Sequence, residues 1–197
     1  MAMTRFETLL MHNPLRRLQQ EKGTLPAFAT LGATLAGGHV LEPGCGDGVG
    51  AELLIRVAQA RRVDGFDIDR RELKKAQARA QRQRLPIHLW RGDIQHIATP
   101  QALYDAVVCF GVLHHAEDWR AALRELYRVL RPGGQLCLEE SYAAFILHPF
   151  WRRLMAHPTR DRFDGPLLLA ELAALGFARI REQRIGQAFG LIVCQKP

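Results

Sequence analysis

The chain has 197 residues, of which 48% are hydrophobic and 24% charged, the balance of a soluble globule and not of a disordered or fibrous chain. No apolar run approaches the roughly 20 residues that span a bilayer, and Cys45, Cys109, Cys137 and Cys194 lack C-x-x-C spacing, so buried, reduced thiols are expected. The formal charge of +7 raises the question of a nucleic-acid partner, which its location along the chain addresses.

In chain order, Met1–Glu7 has no apolar signal-peptide core and carries an early acid, so a cytoplasmic protein is expected. A helix is predicted around Arg5–Met11. A first strand over 39–42 then ends in Glu42, which Pro43 keeps extended. The loop that follows alternates glycines: Gly44, Cys45, Gly46, Asp47, Gly48, Val49, Gly50. Glycines supply positive φ and let the backbone approach a ligand. A helix over 49–60 presents its free N–H groups to the same point. Strand, glycine loop and helix N-terminus together make a cofactor site in an open α/β sheet. Gly46-Asp47-Gly48-Val49-Gly50-Ala51 satisfies one dinucleotide form, G-x-G-x-x-A. Glu42 argues the other way, because a carboxylate at the strand end repels a pyrophosphate and suits a ligand bearing an ammonium group.

A second strand over 62–67 ends in Asp67, 21 residues after Gly46. That is the roughly 20-residue offset of an acid that grips a ribose diol, and a carboxylate can accept both hydroxyl protons. Ile68 then offers an apolar face to an adenine, and Asp69 reads as the N-cap of a helix over 70–84. That helix sets seven bases (Arg70, Arg71, Lys74, Lys75, Arg79, Arg82, Arg84) against Glu72, six of the seven net charges. Leu73, Ala76 and Ala80 give it an inward face, and the rest reads as a solvated basic surface, with an RNA or anionic-membrane patch as the alternative.

A third strand over 86–90 runs into Gly92-Asp93-Ile94, and a weaker helix is expected before a buried fourth strand over 104–110. A helix over 118–130 stops at Leu130-Arg131-Pro132-Gly133-Gly134, ahead of a fifth strand over 135–140. The connection 141–165 mixes Tyr142, Phe145, Phe150, Trp151 and Phe163 with His148, Arg152, Arg153, His157 and Arg160. A connection of that length is usually functional, and its place at the carboxyl ends of the strands makes it a candidate substrate lid. A helix over 166–175 and strands over 177–184 and 189–195, turned at Ile185–Ala188, complete the chain.

Taken together, Glu42-Pro43-Gly44-Cys45-Gly46-Asp47-Gly48, Asp67, Asp93-Ile94, the Phe110–His115 loop and Leu130-Arg131-Pro132-Gly133-Gly134 resemble the class I S-adenosylmethionine-dependent methyltransferases. Within that class the likeness is to the small-molecule group containing ubiquinone- and menaquinone-biosynthesis enzymes. The resemblance covers residues 39–141 and the closing hairpin. It implies an α/β fold: a Rossmann-like, seven-stranded, mostly parallel, doubly wound sheet ending in an antiparallel hairpin. The whole chain reads as one domain, with a cap segment (1–38), a cofactor-binding core (39–141), a lid (141–165), and a last helix with the closing hairpin (166–197).

S-adenosyl-L-methionine is the implied cofactor. Glu42, Gly44, Cys45 and Gly46 hold it from the first loop, Cys45 through its backbone. Asp67 and Ile68 take the ribose and one adenine face. Asp93 accepts from the exocyclic amine while the Ile94 backbone N–H donates to the ring, and Phe110 and Gly111 lie in the loop facing the methyl group.

Methyl transfer from a sulfonium is an in-line displacement that needs alignment and exclusion of water, with a base only where the acceptor demands one. The Phe110–His115 loop lacks the Asn/Asp-Pro-Pro-aromatic run of nucleobase amino methylation, the Pro-Cys of cytosine C5 chemistry and the Asp-Asn of metal-dependent catechol enzymes. His115 is the candidate base, since imidazole titrates near neutrality; the other reading of the His114-His115 pair is hydrogen bonding that shapes the loop. Glu139, Glu140 and Tyr142 are second choices. His114, His115 and Asp118 fit a metal by residue type, but the displacement needs none and none is expected. The lid, with Arg16 and Arg17, points to a small-molecule acceptor that is aromatic or amphipathic and anionic. The alternatives are an RNA methyltransferase, an NAD(P)-dependent oxidoreductase and a non-catalytic cofactor-binding relative.

Overall fold

A computed structural model describes residues 13–154 and 157–197. Strands β1 (His39–Pro43), β2 (Arg62–Asp67), β3 (Ile87–Arg91), β4 (Tyr104–Phe110), β5 (Leu130–Ser141), β6 (Ala178–Ile185) and β7 (Phe189–Gln195) form one sheet in the order β3-β2-β1-β4-β5-β7-β6. The first five strands pair in parallel, and β7 runs antiparallel to both β5 and β6. This is the doubly wound sheet with a closing hairpin that the motifs implied. The chain leaves β1 towards β2 and β3, then returns on the other side as β4. That reversal opens a crevice at the carboxyl ends of β1 and β4.

The helices are α1 (Pro14–Gln19), α2 (Leu25–Thr30), α3 (Val49–Arg56), α4 (Arg70–Gln83), α5 (Trp119–Val129), α6 (Ala143–Ile146), α7 (Trp151–Leu154) and α8 (Gly165–Ala174). A π-helical turn over Gln20–Thr24 joins α1 to α2. Strand side chains alternate between faces, so β1 sends Leu41 into one core and Val40 into the other. The first core packs α5 and α8 on the sheet through Trp119, Leu123, Leu126, Leu168 and Leu172. The second packs α2 and α3 through Phe28, Leu53 and Leu54. Side-chain caps fix where the helices start: Asp69 accepts from Arg71 N at 2.7 Å, as expected, and Asp118 accepts from Ala121 N at 2.8 Å.

Four details differ from the sequence reading. The helix expected over 49–60 stops at Arg56. No helix forms between β3 and β4. Asp93 instead accepts from Gln95 N at 2.9 Å, and the Arg128 guanidinium takes the carbonyls of Ile97 and Thr99 at 2.8 and 2.9 Å. Those carbonyls therefore have partners outside any helix. Strand β5 begins at Leu130, ahead of the glycine pair. Tyr142 and Phe163, read as lid residues, are fully buried in the first core, with Phe163 edge-on to Trp119. The helix expected at Arg5–Met11 lies outside the described residues. Among those residues, no helix is long and apolar enough to cross a membrane.

Candidate functional site

The glycine loop leaves β1 with no spare volume at Gly44 and Gly50. A Cβ on Gly44 would sit 2.4 Å from Val112 Cγ2, and φ there is +64°. One on Gly50 would fall 2.0 Å from Glu42 Oε1 and 2.9 Å from the Phe110 ring. Glu42 itself is 2% exposed. Burial pushes its carboxyl well above the usual range, the Asp47 and Asp67 charges add to that, and the Ala51 N–H opposes it. Its Oε2 is buried and has no hydrogen-bond partner among the described residues. A buried carboxylate of this kind is costly unless a cation or donor meets it, so the donor set fits a ligand with an ammonium group.

Asp67 ties the end of β2 to the loop: Oδ2 accepts from Gly46 N at 2.9 Å and Oδ1 from Asp69 N at 2.8 Å. Burial raises its pKa, and those two N–H groups work against the rise. Ile68 beside it is exposed, whereas Ile94 is buried.

A cavity of about 360 Å³ opens over the switch point. Glu42, Gly44, Cys45, Gly46, Asp67, Ile68, Asp93, Ile94, Phe110, Gly111 and His115 all line it, so the structure brings every residue singled out for the cofactor to one wall or another. Val49, Gly50, Phe66, Gln95 and Val112 join them. Their signal in the sequence was adjacency to the motifs. Arg16 and Gln20 also reach in from the N-terminal segment, where no spacing singled out Gln20. Cys45 contributes no thiolate, because burial holds its thiol well above the usual range.

A second cavity, about 560 Å³, meets the first at Arg16, Gly111 and His115. Phe145, Ile185, Phe189 and Leu191 give it an apolar side, and His114, His157 and Glu139 a polar one. The turn after β4 is held from beneath by Glu140, which accepts N–H bonds from Val112 (3.3 Å), Leu113 (2.9 Å) and His114 (3.2 Å). The same carboxylate lies 2.7 Å from His114 Nδ1. Burial pushes Glu140 up to about 8, against the pull of those donors. The rings of His114, His115 and His157 cluster with centroids 4.3 to 5.1 Å apart.

The arginines expected at the mouth have other work. Arg16 does line both cavities, but its guanidinium is ion-paired with Glu139, which Gln19 and Thr24 also bind at 3.2 and 3.1 Å. Arg17 turns away to Glu52 on α3, at 3.0 Å. Arg152, Arg153 and Arg160 are exposed, outside both cavity walls. Arg162, which the sequence reading passed over, donates to the carbonyls of His114 and Ala116 at 3.0 Å each and braces the histidine turn. Tyr142 is buried, donates to Glu182 at 2.6 Å and lines neither cavity. Asp118 serves as a helix cap and not as a partner of the histidines. On the basic helix, Arg79 holds Asp47 of the glycine loop (carbonyl 3.1 Å, carboxylate 3.0 Å) and Glu52 (3.0 Å).

The comparisons agree with this geometry. The family described as a methyltransferase domain matches residues 41–138. A probable S-adenosylmethionine-dependent methyltransferase of Mycolicibacterium smegmatis is 42% identical over 155 residues, 79% of this chain and 54% of its own length. A fatty-acid O-methyltransferase of the same organism is 30% identical over 76% of this chain and 51% of its own. The chain thus spans about half the length of these curated relatives. A crystallised SAM-dependent methyltransferase from Aquifex aeolicus superposes with a TM-score of 0.75 over 98% of this chain and 97% of that one, at 15% identity, a likeness of fold. The motifs, the sheet order and these likenesses agree: the chain belongs to the class I S-adenosylmethionine-dependent methyltransferases.

Proposed function

We propose that the protein binds S-adenosyl-L-methionine in the first cavity and methylates a small molecule held in the second. The observation that carries this reading is the junction: two cavities, one lined by the motif residues and one largely apolar, touch at Gly111 and His115. When bound, the cofactor's sulfonium supplies a methyl group already activated for displacement. Glu42 meets the ammonium group, and its unpartnered Oε2 gains a donor. Asp67 accepts from the ribose hydroxyls. Ile68 and Ile94 flank the adenine, and Asp93 accepts from its amine. Gly111, with φ +75°, keeps the backbone clear where donor and acceptor approach. His115 lines both cavities and is the candidate base for an acceptor that must lose a proton. Water exclusion falls to Phe145 and Phe189, whose ring centroids are 4.8 Å apart, with the part of the connection around Phe145 acting as the lid, Tyr142 and Phe163 belonging to the core.

The acceptor is amphipathic, its apolar body on Phe145, Phe189 and Leu191 and an acidic or hydroxyl group towards Arg16 and His115. A relative named as a fatty-acid O-methyltransferase supports this class. The test is transfer from methyl-labelled S-adenosylmethionine to cell-extract metabolites and a panel of carboxylic acids and phenols, read by mass spectrometry. A labelled, apolar-bodied oxygen ester or ether is expected. Label found only on small, strongly polar molecules would overturn the acceptor class, and label on none would overturn the transfer itself.

A further inference from the structure

We infer that His114, His115 and His157 form a binding site for a divalent transition-metal ion of the zinc class in the wall of the second cavity. One ligand nitrogen from each of the three residues lies within 4.8 Å of those of the other two. A tetrahedral zinc with Zn–N bonds of about 2.0–2.1 Å sets its ligand nitrogens about 3.3 Å apart, so ring rotations moving the nitrogens by about 1 Å close the site. Imidazole nitrogen is a preferred donor for zinc, copper, nickel and iron, and a poor one for magnesium or calcium.

The second observation lies behind the ligands. Metal-bound histidines almost always donate their other ring N–H to a carboxylate or carbonyl, which fixes the tautomer and makes the free nitrogen more basic. His114 has that arrangement, with Nδ1 2.7 Å from Glu140 Oε2. Three backbone N–H groups already converge on the same carboxyl, so it acts as the acceptor and His114 Nδ1 as the donor. The remaining nitrogen, Nε2, is then the lone-pair donor. Arg162 holds the carbonyl of His114 and so fixes the turn that carries two of the three rings. Asp118, the third ligand the sequence offered by residue type, is replaced by His157 from the connection after α7, a position no spacing pointed to.

Three protein ligands leave a coordination position open, the pattern of catalytic and not structural zinc. All three histidines line the second cavity, so that position faces the acceptor and selects one with an oxygen or nitrogen donor. Metal binding itself is independent of the proposed methyl transfer, but an ion on His115 occupies the lone pair a base would use, so His115 acts as a base only while the metal site is empty; the role of the open position rests on the methyl transfer.

The test uses the full chain, tag removed, stripped with chelator and dialysed. It is titrated with Zn²⁺ in a calorimeter and with Co²⁺ while the visible d–d absorption is followed. One equivalent should bind saturably, with the intense band of tetrahedral cobalt. Glu140→Gln should weaken binding about 10- to 100-fold, and His115→Ala and His157→Ala by more. These two positions are half-buried, and melting curves in chelator check that both variants fold. Absent or non-saturating binding by the unmodified chain overturns the site whatever the variants do, as does binding that both alanine variants retain. S-adenosylhomocysteine titrated into the stripped protein separates the two proposals. Its binding without zinc binding removes the metal site alone, and zinc binding without it removes the methyltransferase reading alone.

Discussion

At Gly50 the fold has no room for one more carbon. The helix α3 starts so close to β1 that a methyl group there meets the Glu42 carboxylate and the Phe110 ring together. Both neighbours are buried, so the Glu42 side chain can yield only by giving up its place in the cavity wall. Gly50→Ala should cost about 1–3 kcal/mol of stability, the usual range for overpacking, and should displace Glu42 from the cavity. Thermal melting and S-adenosylhomocysteine calorimetry on the same preparation check both effects. Residues of this kind were legible in the sequence because the chemistry demands a residue type at a fixed place: a carboxylate where a strand ends, glycine where backbone and ligand approach. His157 was legible only as a member of the substrate-side connection and not as a neighbour of the histidine pair, and Arg162 was not legible at all. Their partners, the rings and carbonyls of residues 114–116, lie more than forty positions away, and no periodicity records such a contact.

Between elements, the clearest device is Glu52 on α3. It joins α1 through Arg17 and α4 through Arg79 and Gln83. Burial alone would raise its pKa, but the hydrogen bonds from those three side chains and the Arg17 charge outweigh it and hold the carboxyl at about 2. A pKa depressed in the folded state contributes stability above the unfolded value of 4.5 and loses it as pH falls through about 2. With Arg17 partly exposed, the contribution is on the order of 1–3 kcal/mol. Glu52→Gln should lower the urea midpoint at pH 7, and the gap to the unmodified protein should shrink as pH falls from 4.5 towards 2. A gap constant over that window would show that charge has no part in the junction. The basic surface of α4 is divided accordingly: Arg79 is structural, while Lys74 and Arg82 are exposed.

The connection after β5 was read as a lid from its aromatics and bases, and part of it is core. Aromatic residues alternate between the two roles without any change in local composition, which is why the sequence did not separate Phe163 from Phe145. Phe163→Ala should cost about 3–5 kcal/mol by leaving a cavity against Trp119, measured by denaturant unfolding. Phe150→Ala, more than half exposed, should leave the midpoint almost unmoved.

Over the whole molecule, the sheet reverses between β1 and β4, and the glycine loop, Asp67, Asp93-Ile94 and the turn after Phe110 all line the crevice there. The mostly parallel sheet was legible because strands and helices alternate along the chain and the first two strands run into carboxylates, Glu42 and Asp67. The missing helix after β3 was not, because Arg128 and Asp93 satisfy that segment's backbone from the side. The central claim is that the crevice is a site for S-adenosylmethionine. Calorimetry of S-adenosylhomocysteine against the unmodified protein and Asp67→Asn tests it most directly, with NADH as the competing ligand. The account predicts one S-adenosylhomocysteine per chain, an affinity loss of about 10- to 150-fold in the variant, as expected for about 1.5–3 kcal/mol from one charged acceptor, and no NADH binding. NADH binding without S-adenosylhomocysteine binding, or an affinity that Asp67→Asn leaves unchanged, would contradict it.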